Sequence, residues 1–374
     1  MYLSKLVINN FRNIKKIELS CENRKIYFFG DNAQGKTNIL EAIYLLCLAK
    51  SFRTRDESEL VYFGEESFII EGTFIDEIGI SRHIVIQYNL DSGKKIHLDG
   101  KTLHQFSKLI GLFPVVLLSS EDHAITNGPP SQRRRFFNIL LSQSSSFYLE
   151  SLKDYEKILK QRNKILYEIA KGRRDAIEQL EVWDTQLVQK GQVLMIQRAK
   201  IVDEMNKHLS RFYQTLTSGD KSLSIEYAPS VPFEKEADIP TDFSSMMKKV
   251  REKEFKQGTT LVGPHRDEFI FTINKIDLRK YGSRGEHKSV LLSLKTVESI
   301  LLRQKTEREP ILLLDDLYSE LDKSRASRSI EMFPQQAQTF ITGTSSDFET
   351  MKSIIDQDEG AAVYFIKEGQ VYQN

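Results

Sequence analysis

Apolar and polar residues change their spacing several times along this chain, and each change predicts an element. Residues 2–9 alternate, with Leu3, Leu6 and Ile8 apolar, and after the interruption Asn10-Phe11-Arg12-Asn13 an apolar pattern resumes over 14–19; both stretches read as strands. The run Ile26-Tyr27-Phe28-Phe29 is a strand, and residues 38–46 carry apolar side chains at the spacing of a helix that continues to about Lys50. Short alternating segments between 67 and 98, broken by Asp91-Ser92-Gly93 and Asp99-Gly100, predict an antiparallel meander. Residues 114–118 form a buried-type strand. Gly128-Pro129-Pro130 then ends one element and starts a helix whose expected N-cap is Ser131.

From about residue 146 to 216 the period becomes helical throughout. Apolar residues recur at three- and four-residue steps up to Lys171-Gly172-Arg173-Arg174-Asp175, and continue beyond that turn without a proline. Two long amphipathic helices in an antiparallel hairpin are predicted, the second near forty residues, or about 60 Å at 1.5 Å per residue. Residues 217–242 read as an irregular connection with one strand at 222–227. Mixed α/β patterning then returns: strands at 269–273, 311–314, 339–342 and 362–366, and a helix over 289–302. The expected fold class is α/β, a head in two halves (1–135 and 256–374) with a helical arm (136–255) inserted between them.

Composition adds limits. With 374 residues, 40% hydrophobic and 28% charged, the chain reads as a soluble globular protein. A net charge of +1 predicts neither a nucleic-acid nor a membrane partner overall, so any DNA-binding surface is a local patch. Cys21 and Cys47 sit among apolar neighbours at no metal spacing, as buried hydrophobes in a reducing compartment would. Neither a secretory leader nor a membrane-length apolar run is read, and the expected location is cytoplasmic.

The candidate chemistry centres on Gly30, Asp31, Asn32, Ala33, Gln34, Gly35, Lys36 and Thr37. A strand, this glycine loop and a helix form the context in which G-x-x-x-x-G-K-[ST] binds a nucleoside triphosphate. The glycines let backbone N–H groups turn around an anion, and the helix N-terminus adds partial positive charge. Lys36 reaches the β- and γ-phosphates, and Thr37 is placed to ligate Mg²⁺. The apolar strand 311–314 ends in Asp315, expected to hold Mg²⁺, and Asp316, expected to polarise water. Ser283, Arg284 and Gly285 precede the helix predicted from 289 and make a second anion site. Two phosphate-binding surfaces in one chain predict head-to-tail dimers that share them.

Arg133, Arg134 and Arg135 open a helix against its dipole, which suits either a phosphate or carboxylate partner or a solvated face. The loop holding Arg53 and Arg55 reads equally as solvated or as a nucleotide or DNA contact. Together with Arg173 and Arg174 these are the candidate DNA contacts.

At this point the residues carry a resemblance. The phosphate loop, the S-x-G segment at 283–285, the acidic strand and SELD at 319–322 resemble ABC-type P-loop ATPases, and the inserted helices resemble their SMC-like, recombination-repair branch. More closely, NFRN from 10, GDNAQGKTNILEAIYLL from 30, SFRTRDESELV from 51, SSEDHAITNGPPSQRRRFFN from 119, LVGPHRDEF from 261, YGSRGE from 281 and LLLDDLYSELD from 312 are similar to the RecF family. These segments fall in order along nearly the whole chain. The resemblance implies an ATP- and Mg²⁺-dependent DNA-binding protein of recombinational repair and replication restart. It also implies an ATP-induced homodimer with slow hydrolysis, acting at gaps and single-strand–double-strand junctions with RecO and RecR partners. Departures are that the family usually has glutamine where Glu286, and often where His287, stands, and a histidine where Phe52 stands. Gly343-Thr344-Ser345-Ser346 follows strand 339–342, so the histidine switch of many cassette ATPases is absent. His265, in the GPHRD turn, reads equally as structural or functional. Two rival readings are a transporter's nucleotide-binding subunit, which needs a membrane partner, and a small-molecule kinase, which leaves Ser283 unexplained.

Overall fold

The alternation at the start of the chain folds as two antiparallel strands, β1 (Tyr2–Phe11) and β2 (Ile14–Ser20). In this computed structural model, residues 1–316, 332–355, 358 and 360–373 are described. Contacts divide the chain into two units, Met1–His123 with Lys288–Asn374, and Ala124–His287. The expected boundaries at 135/136 and 255/256 both lie inside the second of these.

Among the described residues, the first unit holds two sheets. One is antiparallel, in the order β2-β1-β4-β5-β6-β7, with β4 (Ser67–Ile75), β5 (Ser81–Asn89), β6 (Gly93–Leu98) and β7 (Lys101–Thr102) forming the expected meander. The other has the order β15-β14-β3-β13-β12-β8. Its members are β3 (Lys25–Phe29), β8 (Val115–Leu118), β12 (Ile311–Leu314), β13 (Thr339–Gly343), β14 (Ala361–Lys367) and β15 (Gln370–Gln373). All are parallel except β15, the antiparallel edge. Strands β8, β12 and β13 are buried along their whole lengths, which is why they read as unbroken apolar runs. Helix α1 (Lys36–Leu48) touches both sheets and is buried on nearly every side. Gly72 on β4 permits this, because a Cβ there would come within 2.8 Å of Leu46 on α1.

The second unit contains α3 (Pro130–Ser144), which follows the short α2 (His123–Asn127), and then the hairpin of α4 (Ser146–Ala170) and α5 (Leu180–Thr217). At 38 residues α5 has the predicted length. Strands β9 (Leu223–Ala228), β10 (Glu268–Ile273) and β11 (Ile276–Asp277) form an antiparallel sheet in the order β11-β10-β9. Two buried arginines knit the helices together. Arg162 on α4 donates to Asp184 on α5 (2.7 Å), Glu254 (2.7 Å) and Thr260 (2.8 Å). Arg198 on α5 donates to Asp267 (2.9 Å), the carbonyl of Pro264 (2.6 Å) and Asn138 on α3 (3.0 Å). Buried charges of this kind are tolerated only when paired and hydrogen-bonded, as both are.

Three local expectations change. Ser131 does not cap α3: Pro129 occupies the N-cap position and Pro130 the first turn, where its missing N–H costs nothing. Helix α6 (Ile239–Gln257) fills part of the stretch read as irregular and continues beyond it. After the short α7 (Leu278–Tyr281), α8 (Arg284–Thr306) begins five residues before the predicted start at 289. The last helix, α9, spans Ser345–Ile355.

His265 is structural in this unit. Its Nδ1 lies 2.7 Å from the Tyr155 hydroxyl and its Nε2 lies 3.2 Å from the Thr260 carbonyl. Burial, followed by the nearby Arg266, Arg134 and Arg162, pushes its pKa down to about 4. Between pH 4 and the ordinary imidazole value the unfolded chain therefore binds more protons. The stability contributed by neutral His265 is present above about pH 6.5 and is lost as pH falls through about 4, by on the order of 3 kcal/mol. Thermal melting of His265→Gln should show a shallower loss of stability across that window than the parent protein. Identical slopes would refute the assignment.

Candidate functional site

Strand β3 delivers the chain at its C-terminal end into the loop 30–35, where Gly30 and Gly35 stand at φ 156° and 113° and Ala33 at 65°. A side chain cannot replace either glycine. A Cβ at Gly30 would lie 2.3 Å from the carbonyl oxygen of Ile366 on β14, and one at Gly35 would lie 2.8 Å from the Asn13 side chain. Gln34 is held at both ends by the β14–β15 turn: its backbone carbonyl accepts from Gly369 N–H (3.0 Å), and its Oε1 accepts from Glu368 N–H (2.6 Å). Asp31 accepts from the Ser345 hydroxyl (3.1 Å) at the start of α9. Asp31, Asn32 and Ala33 are exposed at the rim.

Lys36 lies buried in this loop, 5% exposed, and its Nζ donates to the carbonyls of Gly30 and Asp31, each at 2.8 Å. Both acceptors are neutral, so a buried ammonium faces the loop without a carboxylate partner among the described residues. An anion such as phosphate would meet that charge.

Beside it, β12 ends in two acids. Asp315, 8% exposed, accepts at both carboxylate oxygens from the Thr37 hydroxyl (3.0 and 3.1 Å) and at Oδ1 from the Thr342 hydroxyl (2.7 Å). Thr342 in turn accepts from the N–H of Asp316 (2.9 Å), whose backbone sits at φ 50°. Burial, and secondarily the charge of Asp316, raises the Asp315 pKa, while the bonds from Thr342 and Thr37 and the charge of Lys36 pull it down. A desolvated carboxylate next to a second acid is a site that a divalent cation would relieve. Thr37 and Asp315 are the residues that could ligate it. Thr342, which ties the two aspartates together, was not foreseen. A hydroxyl closing an apolar strand carries no sequence signal.

Around the loop, the buried Glu41 accepts from Arg12 through two bonds (3.0 and 2.9 Å) and from Ser51 (2.5 Å). Arg53 donates to Asn38 (2.9 Å) and pairs with Glu41 (3.5 Å). Its loop is therefore tied to α1, while Arg55 is exposed. Phe52 is buried edge-to-face on Tyr44, with ring centroids 5.3 Å apart, so this departure serves packing.

Ser283, Arg284 and Gly285 lie in the second unit, at the start of α8. Ser283 and Glu286 form a reciprocal cap: Glu286 N–H donates to the Ser283 hydroxyl (3.2 Å), and Ser283 N–H donates to the Glu286 carboxylate (2.9 Å). Lys221 donates to the same carboxylate (2.8 Å) and is the main cause of its lowered pKa. The charge at Glu286 is thus turned back onto its own helix end and balanced.

The arginine run on α3 divides three ways. Arg133, 3% exposed, makes a bidentate pair with Glu268 on β10 (2.7 and 2.8 Å), so its partner is a carboxylate and it does not face solvent. Arg134 donates to the Asp267 carbonyl (2.8 Å), and Arg135 is exposed. Arg173 at the hairpin tip is exposed and pairs with Glu168 (3.3 Å). Arg174 begins the short turn Arg174–Gln179, and its side chain is outside the described residues, as are Ser319, Glu320, Leu321 and Asp322.

The chain matches the RecF/RecN/SMC N terminal domain family over residues 2–368. It is similar to the DNA replication and repair protein RecF of Agathobacter rectalis, 35% identical over 371 residues with 99% of each chain covered. The corresponding protein of Staphylococcus carnosus is 34% identical over 377 residues, 99% of this chain and 100% of the other. Among solved structures it is similar to the recombination mediator protein RecF-ATP of the RecFOR pathway, at 32% identity and a TM-score of 0.90, covering 100% of this chain and 97% of that one. A likeness of fold alone extends to an Smc head bound to the C-winged helix domain of ScpA, with a TM-score of 0.57 at 14% identity and coverage of 100% and 98%.

The Thr342 hydroxyl is the part of this arrangement most open to test. Thr342→Val should lower the stability of the ligand-free protein by about 1–3 kcal/mol, because a buried carboxylate oxygen and a backbone N–H lose their partner. The same change in an Asp315→Ala background should cost less in a denaturant-melt double-mutant cycle. Additive losses would rule out the coupling.

Proposed function

This chain belongs to the RecF/RecN/SMC N terminal domain family, and on that premise we propose that it is an ATP-dependent DNA-binding protein of DNA replication and recombinational repair. The observation that carries the reading is the buried Lys36, whose acceptors among the described residues are two carbonyls inside a glycine loop, beside Asp315 held by Thr37. Loop N–H groups from 30–35 and the N-terminus of α1 bind the phosphates, and Lys36 neutralises the β- and γ-phosphate charge. Thr37 donates its proton to Asp315 and keeps its oxygen lone pairs available, so these two residues would hold Mg²⁺. When bound, magnesium supplies positive charge against the terminal phosphate oxygens. Asp316, oriented through Thr342, accepts the proton of the attacking water.

Ser283 to Gly285 of a second copy close the site over the γ-phosphate, which makes nucleotide binding a dimerisation step. Glu286 does not oppose this, because Lys221 and the Ser283 N–H already hold its charge. The dimer retains gapped or junction DNA, slow hydrolysis releases it, and RecO- and RecR-type proteins act with it in loading recombinase. The name of the RecFOR-pathway structure supports such partners. No helix among the described residues is long and apolar enough to cross a membrane.

Sedimentation velocity with ATP and Mg²⁺ should move the protein from monomer to dimer, and Lys36→Arg should abolish both that shift and ATP-dependent retention on gapped duplex. No shift in the parent protein, with or without DNA, would sink the dimerisation model. ATP-responsive DNA binding by Lys36→Arg would sink the role given to the loop.

A further inference from the structure

With Arg133 buried against Glu268 and Arg134 bonded to a carbonyl, Arg135 is the one residue of that run that faces solvent. Helix α4 carries a longer row of exposed cations. Lys153, Lys157, Lys160, Lys164, Tyr167 and Lys171 are all exposed, and at about 100° per residue they fall within about 40° of a single line along the helix. The opposite face is buried through Tyr155, Ile158, Arg162, Leu166 and Ile169. The ridge is therefore fixed outward by the packing of the hairpin.

The central lysines, Lys157, Lys160 and Lys164, form no ion pair with any described residue. The acids of α4 lie off the line: Asp154 is taken by Lys190 (2.7 Å) and Glu168 by Arg173 (3.3 Å), while Glu150 and Glu156 flank the N-terminal half. Toward the tip, Lys171 lies over the ring of Tyr167, 5.4 Å from its centroid, and that ring is 55% exposed. A ridge with one aromatic and no apolar centre lacks what a protein interface is built on. It has what a phosphate backbone needs, which is ammonium groups in series with no geometric code.

We propose that the outer face of α4 is a docking ridge for the sugar–phosphate backbone of duplex DNA, contacted chiefly by Lys157, Lys160 and Lys164. This rests on the DNA-binding reading above and gives it a location. From Lys153 to Lys171 the ridge is about 27 Å long, the rise of about eight base pairs. Contact is through charge, so binding there is indifferent to sequence and steeply salt-dependent.

The test uses the full chain with ATP, Mg²⁺ and a fluorescent duplex of about 30 base pairs, titrated at several salt concentrations. Lys157→Ala/Lys160→Ala/Lys164→Ala should weaken binding on the order of tenfold and reduce the slope of log K against log salt by about two to three. Melting temperature and ATP affinity should stay unchanged, since alanine suits exposed helix positions. Lys248→Ala/Lys249→Ala, which removes exposed lysines of α6, should leave binding and slope as they were. An unaltered slope in the triple variant, while the parent protein binds, overturns the ridge alone and leaves the DNA reading standing. An equal loss from the α6 pair reduces the effect to overall charge and overturns it too. Failure of the parent protein to bind any duplex overturns the DNA reading together with the ridge.

Discussion

Asp315 is buried beside a second acid and is held by the hydroxyls of Thr37 and Thr342, with no basic side chain paired to it among the described residues. The rest of the candidate site depends on this constraint. One hydroxyl comes from the helix that follows the glycine loop and the other from β13. Orienting a single carboxylate thus fixes α1, β12 and β13 relative to one another. The arrangement is costly without a cation, because desolvation and the neighbouring charge of Asp316 both oppose ionisation. Lys36 has the complementary difficulty, a buried ammonium that among the described residues hydrogen-bonds to carbonyls alone. The two strained charges lie in one edge of one unit, and a phosphate with its metal would relieve both.

The second unit solves a different problem with similar means. Its helices are held by Arg162 and Arg198, whose carboxylate partners are Asp184, Glu254 and Asp267. The GPHRD turn supplies several of the acceptors, including the Pro264 carbonyl and the Asp267 carboxylate. Asp267 also takes the Tyr227 hydroxyl (2.5 Å) and the Ser230 N–H (2.9 Å). Removing one member of such a network strands a buried charge, so these positions govern the integrity of the helical unit.

Periodicity and torsional need made much of this readable from the sequence. The hairpin was readable because α4 and α5 repeat their apolar residues at helical steps, and the loop because only glycine tolerates the backbone at 30 and 35. Helix α6 escaped because its buried face includes Glu254 and its start is crowded with polar residues and a proline. The direction of Glu286 could not be read, since Lys221, which holds it, lies on a distant segment. Thr342 stayed silent for the same reason, and so did the hold of the distant β14–β15 turn on Gln34: these hydrogen bonds reach residues far away in the chain and leave no period or motif. Arg133 was visible as an anomaly against the helix dipole, but only Glu268 says which of its possible partners is real.

The neighbours of β3 in its sheet are β13 and β14, both from the last stretch of the chain, and the turn that grips Gln34 follows β14. During synthesis from the N-terminus, the strand and its loop emerge early with nothing to pair against. Their backbone ladder waits until almost everything else, including the whole helical unit, has been made. High contact order of this kind slows folding and leaves an apolar strand edge open on the nascent chain. The phosphate loop is thus among the first parts of the protein to be made and among the last to acquire its shape.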